Sequence, residues 1–99
     1  MRISDRASLV LTSLAGGDKH AYALVKDVES FAGVSLGPGT LYGALTRLER
    51  DGLIERLAAD DRRCPYRITP HGRELLAEHL AQAARLANLG LQRMALRSQ

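Results

Sequence analysis

The chain of 99 residues is long enough for one small domain, or one domain and an appended helix, and too short for a TIM barrel or a complete dinucleotide-binding fold. Hydrophobic residues make up 45% and charged residues 25%, and Leu (17) and Ala (14) outweigh Val plus Ile (7), a balance that favours helix over sheet. The net charge of +3 permits a nucleic-acid partner without demanding one. Residues 1–53 are neutral, so the excess lies in 54–99, and 12 of the 14 basic residues are Arg, the better partner for phosphate and guanine. The single cysteine, Cys64, excludes an intramolecular disulfide and a Cys-only zinc site and fits a reducing compartment. No apolar run approaches the roughly 20 residues that span a bilayer.

Ser4 or Asp5 is placed to cap a first helix running to about Ala15, where Gly16-Gly17-Asp18 stops it. Arg2 and Arg6 ahead of an apolar stretch give this segment a faint look of a signal peptide. Asp5, Ser8, Thr12 and Ser13 interrupt that pattern, while Ala7, Val10, Leu11 and Leu14 follow helical spacing. A second helix is expected from about His20 to Phe31, with Tyr22, Val25 and Val28 inward, Leu24 as a further candidate for that face, and Gly33 ending it. Gly37 then reads as an N-cap and Pro38 as the first residue of a third helix, with Leu36 and Leu41 as a hydrophobic staple. That helix ends near Asp51, with Gly52 as its left-handed terminal residue and Leu41, Ala44, Leu45 and Leu48 as its buried stripe.

After Gly52 the period changes. Residues 53–57 and 65–69 read as two short strands of a hairpin, with 58–63 as the turn. Thr69-Pro70 opens a fourth helix that reaches about Arg97, with Gly90 as a weak point. The expected fold is mainly α with a small β-hairpin. Three short helices, a hairpin and a long helix make the winged helix-turn-helix pattern. The division is a winged-helix domain over 1–69 and a C-terminal dimerisation helix over 70–99.

The third helix turns Gly39, Gly43, Thr46 and Arg50 away from its apolar stripe, with Tyr42 on one shoulder and Thr40 and Arg47 on the other. Small residues allow close approach to a major groove, hydroxyls meet phosphates or bases, and Arg meets guanine or phosphate. Thr40, Tyr42, Gly43, Thr46, Arg47 and Arg50 are therefore the candidate DNA contacts. Arg62 and Arg63 are candidate contacts from the hairpin, although Asp60-Asp61 offsets part of their charge. His20 and Tyr22 are candidate phosphate contacts, with Tyr22 equally placed for the core. On the last helix Leu76, Leu80, Ala83, Ala87 and Met94 form an apolar stripe, widened by Leu75, Leu86, Leu89 and Leu91. A second copy of the chain is the expected cover for it.

Enzyme readings find no support: there is no P-loop, no GxGxxG after a strand and no GxSxG. Glu74 and Glu78 read as a solvated face. His71 with Glu74 or Glu78 with His79 can be drawn as metal ligands, but His20, His71 and His79 lack the HExxH spacing and scattered single histidines are more often surface residues, so no metal or cofactor is expected. Cys64 beside Arg62 and Arg63 is a candidate redox sensor, against the plainer reading of a small strand residue.

Two segments resemble the opening of PadR-type transcriptional regulators: Leu9-Val10-Leu11 through Gly16, and His20-Ala21-Tyr22-Ala23-Leu24. The same family is resembled by the run from Gly39-Thr40-Leu41-Tyr42 to Leu48-Glu49, followed by Asp51-Gly52-Leu53-Ile54, and by the stretch from Arg62 to Gly72. Ala21 stands where the family usually has Gly, and Cys64-Pro65 replaces a more basic or aromatic pair. The chain has no Trp, which weighs against a flat aromatic slot between the last helices. The resemblance implies a homodimeric winged-helix repressor of double-stranded DNA, with a roughly palindromic operator and the single C-terminal helix of the short type. It also implies release by a small-molecule effector. The expected location is the cytoplasm, at the nucleoid, with no membrane association. The competing readings are a winged-helix protein-interaction module, and a ligand- or redox-sensing dimer that does not bind DNA.

Overall fold

The computed structural model describes residues 2–57 and 64–97. The Ser4 hydroxyl accepts a hydrogen bond from the Ala7 N–H at 3.1 Å and so caps α1 (Asp5–Ala15). Helix α2 (Ala21–Ala32) starts after His20 and closes on Gly33, whose φ of 67° is the left-handed conformation that glycine adopts without strain. Helix α3 (Pro38–Arg50) starts at Gly37-Pro38 as expected. Its exit is a Schellman motif: Gly52, at φ 76°, donates to the Glu49 carbonyl, and Leu53 donates to that of Leu48. Strands β1 (Ile54–Arg56) and β2 (Tyr66–Ile68) pair antiparallel with Ile54 opposite Ile68. Helix α4 (Pro70–Arg97) runs without a break through Gly90.

The core gathers Val10, Leu11 and Leu14 of α1, Leu24 and Val28 of α2, and Leu41, Leu45 and Leu48 of α3. Leu53, Ile54, Tyr66 and Ile68 close it from the hairpin and Leu75 and Leu76 from α4. Each such side chain contributes about 1.5–3 kcal/mol relative to exposure. Tyr22 is not inward as expected; it is 74% exposed. The inward line of α2 is Leu24 and Val28, and a residue two positions away lies roughly 200° around the helix.

One pairing is absent from the sequence reading. Lys19 and Tyr66 exchange backbone hydrogen bonds, Lys19 N–H to Tyr66 O at 3.2 Å and Tyr66 N–H to Lys19 O at 2.9 Å. The chain ahead of α2 thus borders β2 as a third, one-residue strand. The Lys19 ammonium reaches back to the Ser13 and Gly17 carbonyls, and the buried Ser13 hydroxyl donates to Asp27 at 2.6 Å. These bonds satisfy the Lys19, Ser13 and Tyr66 groups that the corner brings inside.

The start of α4 is fixed by a second corner. Thr69 caps the helix by accepting from the Gly72 N–H at 3.0 Å, and its own hydroxyl donates to the Gly52 carbonyl at 2.7 Å. Its N–H donates to the Leu53 carbonyl. Leu75 and Leu76 then enter the core, so Leu76 does not belong to an exposed dimer stripe: only 5% of it is accessible. It lies about two helical turns above the cap, where α4 still packs on α1. Beyond Leu80 the helix leaves the core and gives the molecule its 60 Å long axis. No helix of the described residues is long and apolar enough to cross a membrane.

Gly72 sets a stability test. A Cβ there would lie 2.1 Å from the Leu53 carbonyl oxygen and 2.9 Å from the Ile68 side chain. Gly72→Ala is expected to cost at least about 1–3 kcal/mol in urea unfolding, as overpacking does. A variant of wild-type stability would mean that α4 approaches β1 less closely.

Candidate nucleic-acid interface

Leu41, Ala44, Leu45 and Leu48 anchor α3 to the core and thereby fix what its other face presents. Thr40, Tyr42, Thr46, Arg47 and Arg50 are exposed and Gly43 is half-buried, so the six positions singled out on this helix form one accessible surface. A side chain is missing at Gly39 and Gly43, which leaves the backbone open to close approach along one line of the helix. Arg50 lies 3.6 Å from the neighbouring Asp51 in an exposed pair, an interaction weak enough to exchange for another anion.

The hairpin stands beside this surface. Arg56 of β1 meets Glu49 of α3 at 3.6 Å, and its guanidinium lies 5.8 Å from the centre of the Tyr66 ring. Arg67 of β2 is held by Asp18, with Nε at 3.3 Å and Nη2 at 3.1 Å, and lies 3.9 Å from Glu55. It links the hairpin to the turn between α1 and α2, its guanidinium engaged by carboxylates. Arg62 and Arg63 lie outside the described residues. Cys64 is a half-buried free thiol.

At the start of α2, His20 is the N-cap residue and is half-buried. Its Nδ1 is buried without a hydrogen-bond partner. Tyr22 projects outward with the Lys26 ammonium 5.7 Å from its ring centre. Both are therefore accessible on the same end of α2. Among the described residues, no three His, Cys, Asp or Glu side chains are grouped to hold a metal ion.

Past Leu76, the stripe on α4 is exposed. Leu80, Ala83, Ala87 and Met94 are accessible, and so are Leu86, Leu89, Leu91 and Leu96. Between residues 2–5 and α4 lies a groove of about 430 Å³ bordered by Ile3, Leu75, His79, Ala83 and Leu86. The sequence reading gave no role to Arg2 and Arg6, which the fold brings to the flank of α3 beside Arg47.

Comparison with known proteins agrees with this geometry. Residues 10–78 match the model of the transcriptional regulator PadR-like family. A 37.1 kDa protein of unassigned function in transposon TN4556 of Streptomyces fradiae is 46% identical over 87 residues, which cover 88% of this chain; the chain spans a quarter of that protein's length. Transcriptional regulator Rv3488 of Mycobacterium tuberculosis is 40% identical over 84 residues, covering 79% of this chain and 78% of Rv3488. In fold, a PadR family transcription regulator from Clostridium difficile R20291 matches with a TM-score of 0.80 at 24% identity, over 89% of this chain and 96% of that one. With the winged-helix framework in place from α1 to the start of α4, the chain belongs to the PadR-like family of transcriptional regulators.

Proposed function

We propose that the chain is a homodimeric repressor that binds a roughly palindromic DNA operator through α3 and the hairpin. The observation that carries this reading is the exposed face of α3: two glycines, two threonines, Tyr42 and two arginines on a helix whose opposite face is locked into the core. Such a helix fits a major groove about 12 Å wide, with its glycines against the groove floor and its polar side chains toward base edges and phosphates. Thr46 and Arg50, on the outermost line, read bases. Thr40, Tyr42 and Arg47, on the shoulders, meet backbone, as do His20 and Tyr22 from α2 and Arg62 and Arg63 from the hairpin.

In the dimer, α4 pairs with its counterpart through Leu80, Ala83, Ala87 and Met94, which together with Leu86 and Leu89 offer more apolar surface than a lone projecting helix keeps in water. The pairing sets the two α3 helices about 34–36 Å apart, one turn of DNA, and makes the operator mirror the protein's twofold axis. Repression follows when that operator overlaps a promoter. The groove of about 430 Å³ beside α4 falls within the roughly 300–1,000 Å³ of small-molecule sites and is the place for an effector.

Fluorescence anisotropy on the protein's own upstream DNA and on a scrambled duplex, across a salt series, tests the reading. Preference for the upstream duplex with a steep negative salt slope is expected. Equal, weak and salt-insensitive binding to both would favour the protein-interaction module. In the same assay Arg50→Ala is expected to cost about 1–3 kcal/mol on the upstream duplex and little on the scrambled one. Arg67→Ala, which removes a guanidinium already engaged by Asp18, is expected to leave the preference intact.

Leu80→Asp places a charge in the proposed seam beyond the core. Sedimentation should show monomers, with operator affinity greatly reduced because each half-site is then bound alone. A Leu80→Asp protein that still sediments as a dimer would move the interface elsewhere.

A further inference from the structure

Helix α3 has two shoulders, and different elements meet them. On the shoulder of Tyr42, Glu49 contacts Arg56 of β1 at 3.6 Å, so the hairpin flanks that side. On the opposite shoulder, the segment ahead of α1 closes against Arg47 and Asp51 around a cavity of about 210 Å³, into which Arg2, Ser4 and Arg6 also face. Arg2, Arg6 and Arg47 have no ion pair among the described residues, whereas Arg50, Arg56 and Arg67 each have a carboxylate. Asp51, the carboxylate on the wall, already lies 3.6 Å from Arg50. Arg2 also borders the α4 groove, where Asp5 and Glu78 lie, and so stands between the two spaces.

The size and lining favour a small oxyanion. The volume is below the roughly 300–1,000 Å³ of sites that enclose a drug-sized ligand. Three guanidinium groups supply forked donors that suit phosphate, and the Ser4 hydroxyl lies beside them, while Asp5 in the first turn of α1 offsets that helix's dipole. We propose that this cavity is a phosphodiester clamp. It seats a backbone phosphate of the DNA strand that borders the major groove on the side away from the hairpin.

Position favours DNA over a free anion, given the DNA-binding reading of α3. A helix in a major groove is bordered by two phosphate backbones. The hairpin stands where one of them passes. The clamp stands where the other passes, next to the exposed line of Gly43, Thr46 and Arg50. Phosphate contacts carry no sequence information, so the clamp sets register, and Arg47 acts through it rather than by reading a base.

The test compares wild type with the Arg2→Ala, Arg6→Ala double variant on the upstream and the scrambled duplex across the salt series. The double variant should lose affinity for both duplexes by the same factor, and its slope of log affinity against log salt should be shallower by about one for each copy bound. Arg2→Lys with Arg6→Lys should restore the slope. Both arginines are exposed, so the melting temperature should not change; if it does, Arg6→Gln, which keeps the side-chain stem, should show the same shallower slope. An unchanged slope in a folded variant overturns the clamp alone. Wild type without salt-dependent DNA binding overturns the clamp and the reading it rests on together. Inorganic phosphate that raises the melting temperature of wild type but not of the double variant, with the DNA slope unchanged, would give the cavity to a free anion and overturn the proposal.

Discussion

The contact between the Leu53 carbonyl and the first turn of α4 is the constraint on which the rest of the molecule depends. That oxygen accepts from the Thr69 N–H and faces Gly72 at a distance that admits no side chain. Thr69 in turn ties the Gly52 carbonyl to the cap of α4. Gly52 and Leu53 are the terminal residues of the Schellman motif that ends α3. The exit of one helix and the entry of the other are therefore a single hydrogen-bonded unit, with the hairpin leaving and returning through it. In the proposed dimer this unit transmits the position of α4 to α3, so the spacing of the two recognition helices is set here and not by a flexible link. Any packing change along α4 would reach α3 through rigid contacts, the physical requirement for an effector to alter operator binding.

Charge is sorted by the same architecture. The arginines of the hairpin strands are structural: Arg56 joins β1 to α3, and Arg67 joins β2 to the turn before α2. These exposed pairs add little stability, but each directs a hairpin arginine to a carboxylate of a neighbouring element. The arginines left without carboxylates around α3 among the described residues, namely Arg2, Arg6 and Arg47, lie on the other flank. A net charge of +3 therefore understates the local field, because pairing neutralises some arginines and geometry gathers others.

Much of the fold was legible in the sequence, for identifiable reasons. Gly37-Pro38, Gly52 and Thr69-Pro70 are terminal signals whose mechanism is local, and the helix boundaries followed them closely. The stripe of α3 was correct in every member because a helix with one apolar face has one way to bury it. The errors were tertiary. Tyr22 was read inward because apolar content does not say which of two neighbouring lines faces the core. Leu76 was assigned to the dimer seam because the sequence does not show where α4 stops packing on its own domain. The Lys19–Tyr66 bridge joins residues far apart in the chain with no pattern in either segment. Arg2 and Arg6 were invisible as a site because only the fold places them beside Arg47.

The burial of Leu76 also bears on how the two functions of α4 are divided. Its first two turns complete the winged-helix core, and Leu75 and Leu76 would be buried with or without a partner. The remaining turns, from Leu80 onward, bury little against their own chain. Helices in isolation are marginal even when long, so the distal part gains most from a partner's surface while the proximal part gains none. Folding of the domain and the proposed pairing of two copies thus draw on different leucines of one helix. A seam that starts at Leu80 leaves the groove beside Ile3 and His79 at the boundary between these two regions, where the proximal part of α4 is fixed by the core and the distal part by whatever it pairs with. In the proposed dimer, a ligand in that groove would touch both regions.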